Sequence, residues 1–119
     1  MKLVVPIPEK ISFNKIYAGV HWTVRSSHKN AFRGAVMASK PKKYTGLFPV
    51  VIYYHFRLKG PLLDSTNLAY MVKLVEDGLV HNEVIPDDSQ KYVKSYMPTT
   101  EKIKKGEYDE VVVTIKTPN

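Results

Sequence analysis

Val50-Val51-Ile52-Tyr53-Tyr54-His55-Phe56-Arg57-Leu58-Lys59 alternates with period two: Ile52, Tyr54, Phe56 and Leu58 fall on one face, Val51, Tyr53, His55, Arg57 and Lys59 on the other. Successive side chains of an extended chain point to opposite faces, so this stretch predicts a strand with one side turned to a core. Gly60-Pro61 closes it. Beyond that turn, Leu68, Met71, Val72, Val75 and Leu79 recur at helical spacing and predict a helix from near Ser65 to between Val80 and Asn82.

Upstream, Leu3 to Ile7 reads as a short first strand ended by Pro8, and a long polar loop with Asn14, Lys15, Tyr17, Gly19 and Trp22 follows. Ser26 or Ser27 is placed to cap another helix, whose stripe is Ala31, Phe32, Ala35 and Val36 and whose end falls near Ser39-Lys40-Pro41. Downstream, Lys91 to Met97 alternates again, and Tyr108 to Thr117 is a β-branched strand after the turn Lys104-Lys105-Gly106. The expected fold is α/β of the α+β kind, a mixed four-stranded sheet with two helices in the order β-α-β-α-β-β. Long β-α-β connections suit crossovers, and the last two strands suit a hairpin.

A chain of 119 residues suits one domain spanning 1–119 with a single core. The net charge of +7 is unevenly placed. Residues 1–60 hold eleven Lys/Arg and one acid, a net of +10, whereas residues 61–119 hold seven Lys/Arg and ten acids, a net of −3. Such a positive excess favours a polyanionic partner such as nucleic acid. With no cysteine, disulfides, thiol nucleophiles, Cys-ligated zinc and iron–sulfur clusters are excluded. The apolar run at the N-terminus is too short and too Pro-interrupted for a signal peptide, and no segment approaches the roughly 18 apolar residues of a membrane span. A cytoplasmic protein with no membrane partner is expected.

The candidate chemistry lies around the second helix. At about 100° per residue, Tyr70, Lys73 and Asp77 share one face, with Asn67 near it in the preceding turn. Asp64 stands just before the helix, where a carboxylate also serves as a plain N-cap; Lys73 and Asp77 are also spaced as an i,i+4 pair, and Pro86-Asp87-Asp88 is also a common turn. Together these acids could hold a hard cation such as Mg²⁺, which takes oxygen ligands and keeps positions for water and a substrate phosphate. Lys73 would then steady the nucleophile or the scissile phosphate. His21, His28, His55 and His81 are scattered without a zinc spacing, and no nucleophile elbow or phosphate-cradling glycine loop occurs.

These residues resemble the RusA-type Holliday-junction resolvases, small endodeoxyribonucleases of phage and prophage origin. The family pattern is Asp-x-Asp-Asn, two residues, Lys, three residues, Asp, then an acidic pair before a strand. Lys73, Asp77 and Asp87-Asp88 match that spacing, Pro6-Ile7-Pro8 with Asn14, Lys15 and Tyr17 looks like the family's N-terminal loop, and Lys105-Gly106 with the last strand looks like its C-terminal hairpin. One departure stands out. Counted back from Lys73 without a gap, Asn67 and Ala69 occupy the two aspartate positions and Tyr70 the asparagine. A three-residue shift instead sets Asp64 at the first aspartate, Thr66 at the second and Asn67 at the asparagine. The shifted correspondence keeps the leading acid and the asparagine, with metal binding left to Asp64 and Asp88 and help from Asp87.

The resemblance implies a homodimer that resolves four-way DNA junctions in recombination and repair by Mg²⁺-dependent nicking, with Mn²⁺ able to take its place. Asp64, Asn67, Lys73 and Asp88 are the expected catalytic residues. Asn14, Lys15, Arg25, Lys29, Arg33, Lys42 and Lys43 are the expected contacts to nucleic acid, with Lys40 beside them. The missing carboxylate leaves open a DNA-binding protein of the same fold without nuclease activity, and an interaction protein with no nucleic acid partner.

Overall fold

The structure, a computed structural model, describes residues 1–8, 22–60 and 65–118, with only the backbone of 22–24 and 65–67. Its elements run β1 (Lys2–Pro6), α1 (Trp22–Ala38), β2 (Val50–Leu58), α2 (Ser65–His81), β3 (Val93–Lys102) and β4 (Glu110–Lys116). The order β-α-β-α-β-β and the mixed four-stranded sheet are as expected. The polar loop with Asn14, Lys15, Tyr17 and Gly19, and the Asp64 position, lie outside the described residues.

Across the sheet the strands are ordered β1-β4-β2-β3. β4 is antiparallel to both β1 and β2, while β2 and β3 are parallel. The expected hairpin between the last two strands therefore does not form, because β2 lies between them. Composition explains the placement. Val111, Val113 and Ile115 of β4 are wholly buried, which suits an inner strand, whereas β3 exposes Lys94, Ser95 and Lys102 and contains Pro98, which has no N–H for a ladder and is tolerated at an edge. The connection crosses the end of β2, where Ile103 donates its amide to the Leu58 carbonyl at 3.0 Å and the Lys59 amide donates to Asp109 Oδ1 at 2.8 Å.

Both helices cover one face of the sheet. Val50, Ile52, Tyr54, Phe56 and Leu58 of β2 are all 0% exposed and meet Phe32 and Val36 of α1 and Leu68, Met71, Val72, Val75 and Leu79 of α2 in one core. Each such side chain contributes roughly 1.5–3 kcal/mol of burial. Ala31, expected on the inner stripe of α1, is exposed. α1 also begins at Trp22, ahead of the expected Ser26/Ser27 cap, so both serines lie inside the helix. The α1 end falls as predicted, with Lys40 at φ 53°.

The helices run parallel. Contacts between them rise together along both chains: Arg33 to Asp77, the Asn82 amide to the Arg33 carbonyl at 3.1 Å, and Gly78 so close to Val36 that a Cβ there would sit 2.7 Å from its Cγ2. α2 ends in a Schellman arrangement, with Val84 N–H donating to the Leu79 carbonyl, Glu83 N–H to the Val80 carbonyl, and Glu83 at φ 61°. Among the described residues no helix is long and apolar enough to cross a membrane.

Candidate functional site

Two clefts meet along α2. The first lies between the helices, about 380 Å³, lined by Arg25, Ser26 and Lys29 of α1 and Tyr70, Lys73, Leu74 and Asp77 of α2. The second, about 360 Å³, is lined by Lys73, Glu76, Asp77 and Val80 of α2 with Asp87 and Asp88 of the following loop. Lys73 and Asp77 belong to both. Tyr70, Lys73 and Asp77 thus border one cavity, as their spacing predicts.

Asp77 does not serve as an open carboxylate or as a partner for Lys73. It accepts from Arg33 Nε at 2.7 Å and Arg33 Nη2 at 3.1 Å, with Lys29 Nζ 3.9 Å away. The forked guanidinium matches both carboxylate oxygens, and both side chains are about a quarter exposed, 28% and 27%. This pair ties α1 to α2. Arg33, expected to meet DNA phosphate, is engaged here instead of standing free for a ligand.

Glu76 is the carboxylate that the sequence reading passed over. Measured from Lys73, Glu76 lies about 60° to one side and Asp77 about 40° to the other, so the lysine stands between two acids. Glu76 faces Asp88 across the second cleft and again across a third of about 300 Å³, lined also by Gln90, Lys94, Ser95 and Tyr96. Burial, and after it the charge of Asp88, pushes the Glu76 carboxyl up to about 7, against the hydrogen bond from Tyr54 and the charge of Lys73. Tyr54 is a wholly buried core residue of β2, and its hydroxyl donates to Glu76 Oε2 at 3.5 Å, a long contact. Its own pKa is raised well above the usual tyrosine value, by burial first and by Glu76 second. The signal for Glu76 was present in its i,i+3 relation to Lys73, but Asp77 fitted the family spacing and drew the reading.

Asp87 and Asp88 divide their roles. The Asp87 Oδ1 accepts the Asp88 amide at 2.8 Å, and this bond, with others from Asp88 and Ser89, holds Asp87 below the usual carboxylate range. That is the behaviour of a turn-forming aspartate. Asp88 is exposed and lines the cleft beside Glu76.

For a divalent cation the oxygen chemistry is right, since Glu76 and Asp88 repel each other's charge and a cation would relieve it. The number of donors is small. Among the described residues no group of three or more His, Asp or Glu is arranged to hold a metal ion. Asp64, the other expected ligand, lies outside the described residues. No side-chain geometry is described for Asn67.

Of the expected nucleic-acid contacts, Arg25 and Lys29 are brought together with Lys73 at the first cleft. Lys42 and Lys43 are exposed on the connection to β2, Lys43 beside Val80, Glu83, Ile85 and Pro86, and Lys40 is exposed just past α1. The sheet face away from the helices carries no covering element among the described residues. It exposes Val4 (47%), Tyr53 (40%) and Met97 (53%), the last two directly opposite each other in the β2/β3 register. No protein-family model matches this chain, and no curated protein matches it.

Proposed function

We propose that the protein is a metal-dependent, structure-selective endodeoxyribonuclease acting on branched DNA, of the Holliday-junction-resolving kind that its sequence resembles. The observation that carries this reading is the pair of adjacent clefts along α2 that share Lys73 and Asp77, one lined by Arg25 and Lys29 and the other by Glu76, Asp87 and Asp88. A cationic stretch holds the DNA backbone, and an acidic stretch next to it suits a cation at the cleaved phosphate. Asp64 and Asp88, helped by Asp87, would hold Mg²⁺ or Mn²⁺. When bound, the ion supplies Lewis-acid activation of water and charge neutralisation at phosphorus. Lys73, between the two clefts, is placed to hold a phosphate oxygen by charge and hydrogen bond, and Asn67 would orient the same strand.

A homodimer gives symmetric cuts a physical basis, since two identical sites face two equivalent strands. The sheet face with Tyr53 and Met97, uncovered among the described residues, would be the surface for a second copy; sedimentation showing only monomers, with junction bound, would rule this out. The protein would act in the cytoplasm, in recombination or repair.

A second reading, a DNA-binding protein of the same fold without cleavage, is favoured by the small donor set and by Ala69, a carbon side chain where an ungapped match has an acid. The test is incubation with a four-way DNA junction and Mg²⁺. Nicking that disappears in Asp88→Asn while binding persists supports the nuclease; junction binding without nicking by the wild type refutes it. Binding that does not weaken as salt rises would count against any DNA role, because phosphate contacts release counterions.

A further inference from the structure

The first cleft is built for something other than phosphate alone. Its walls are the half-buried Tyr70 ring and Leu74, which is 6% exposed, and its rim carries Arg25, Lys29 and Lys73. The Tyr70 ring is set by an edge contact with His28, 6.2 Å between centroids at 73°. Three cations against Asp77 leave a net of +2, and Asp77 is already doubly bonded to Arg33. A lone phosphate would leave the aromatic wall uncovered, and an apolar ligand would leave that excess of positive charge uncompensated. A planar ring joined to an anion meets both demands. At about 380 Å³ the cleft lies at the small end of ligand clefts, roughly 300–1,000 Å³, too small for a duplex and adequate for one nucleotide.

Position agrees with this. Because α1 and α2 run parallel and each follows a strand, Arg25 and Tyr70 lie in the N-terminal halves of both helices, toward the carboxyl ends of β1 and β2, where ligands of α/β sheets commonly bind and where helix dipoles favour an anion. The cleft also shares Lys73 and Asp77 with the acidic one.

We propose that the cleft between α1 and α2 holds one unstacked nucleotide of the DNA strand adjacent to the scissile phosphate, its base against Tyr70 and Leu74 and its phosphate on Arg25 and Lys29. The protein then stacks the base beside the cut, which makes Tyr70 a base-binding residue. This rests on the reading of the protein as a DNA nuclease, and the experiment separates the two.

Calorimetric titration of the full chain in EDTA with thymidine 5′-monophosphate, deoxyribose 5-phosphate and inorganic phosphate tests it without any need for cleavage. Stacking on a partly exposed ring gives an expected preference of about five- to tenfold for the nucleotide over the sugar phosphate. Tyr70→Leu, which keeps apolar bulk, should remove that preference, and Arg25→Gln at an exposed site should weaken all three ligands while leaving the preference intact. Equal binding of nucleotide and sugar phosphate by the wild type, an unchanged preference in Tyr70→Leu, or unchanged affinities in Arg25→Gln overturns the proposal. A base preference in a protein that fails to nick junctions refutes only the nuclease, and nicking without the preference refutes only the pocket.

Discussion

Replacing Glu76 by Gln should make the protein more stable at alkaline pH. The Glu76 carboxyl moves from 4.5 to about 7 on folding, chiefly through burial and then through Asp88. Its folded pKa lies above the unfolded one, so between those values the native state keeps a proton that the unfolded chain releases. Stability attached to this group is full below about pH 4.5 and is lost as pH rises through about 7. At about 1.4 kcal/mol for each pH unit, the upper bound is roughly 3 kcal/mol, and solvent reaching the partly exposed carboxyl screens this to about 1–2 kcal/mol. Glutamine cannot ionise and keeps the shape. Urea unfolding of wild type and Glu76→Gln from pH 4 to pH 8.5 in EDTA measures the difference; the chelator keeps stray cations from favouring the charged form. The curves should coincide near pH 4.5, diverge through about pH 7, and end with the variant about 1–2 kcal/mol more stable. Curves parallel at every pH, or a wild type more stable at pH 8, would refute the account. Asp88→Asn supplies a control, since loss of the Asp88 charge should bring the Glu76 midpoint down in an NMR titration of its side chain.

Gly78→Ala places a methyl 2.7 Å from Val36 Cγ2; overpacking of about 1–3 kcal/mol outweighs a helix-propensity gain of about 1 kcal/mol, so a net loss of about 1 kcal/mol is expected in urea unfolding. Glu83→Gly should raise stability by about 1 kcal/mol, because the left-handed backbone at φ 61° is free of Cβ strain for glycine, and an unchanged urea midpoint would show that the side chain compensates. Arg33→Gln and Asp77→Asn should each lower the urea midpoint, and the double variant should lose less than the two losses combined, since both break one interhelical pair; strictly additive losses would show that the contact carries no coupling.

Period two in 50–59 and the 3.6 period in 68–79 made β2 and α2 legible because each buries one face, and burial is what spaces apolar residues. Strand adjacency was harder, since a short turn such as Lys104-Lys105-Gly106 suits a hairpin and equally a passage over a strand end. The composition of β4 against that of β3 held the answer, in three inward β-branched residues on one and lysines with Pro98 on the other. The start of α1 was hidden because serines cap helices and also sit inside them, as Ser26 and Ser27 do here. In the site, helical spacing brought Tyr70, Lys73 and Asp77 to one cavity, but spacing within one helix does not tell which acid a second helix will neutralise. Arg33 took Asp77, and Glu76 was left for the cleft.

That choice of partner has a consequence for the whole groove. The sequence separates its charges by halves, basic before residue 60 and acidic after, yet α1 and α2 lie side by side along their length, so proximity alone would cancel the two. Cancellation is local. Arg33, with Lys29 at 3.9 Å, neutralises Asp77 on the side of α2 that faces α1, Arg25 remains near the start of α1, and Glu76 with Asp88 remains on the other side of Lys73. The fixed charges thus divide across Lys73, with Arg25 and Lys29 beside one cleft and Glu76 with Asp88 beside the other. The proposed phosphodiester would lie across Lys73, with a phosphate toward Arg25 and Lys29 and its metal toward Glu76 and Asp88, so that each charge meets the cleft of opposite sign.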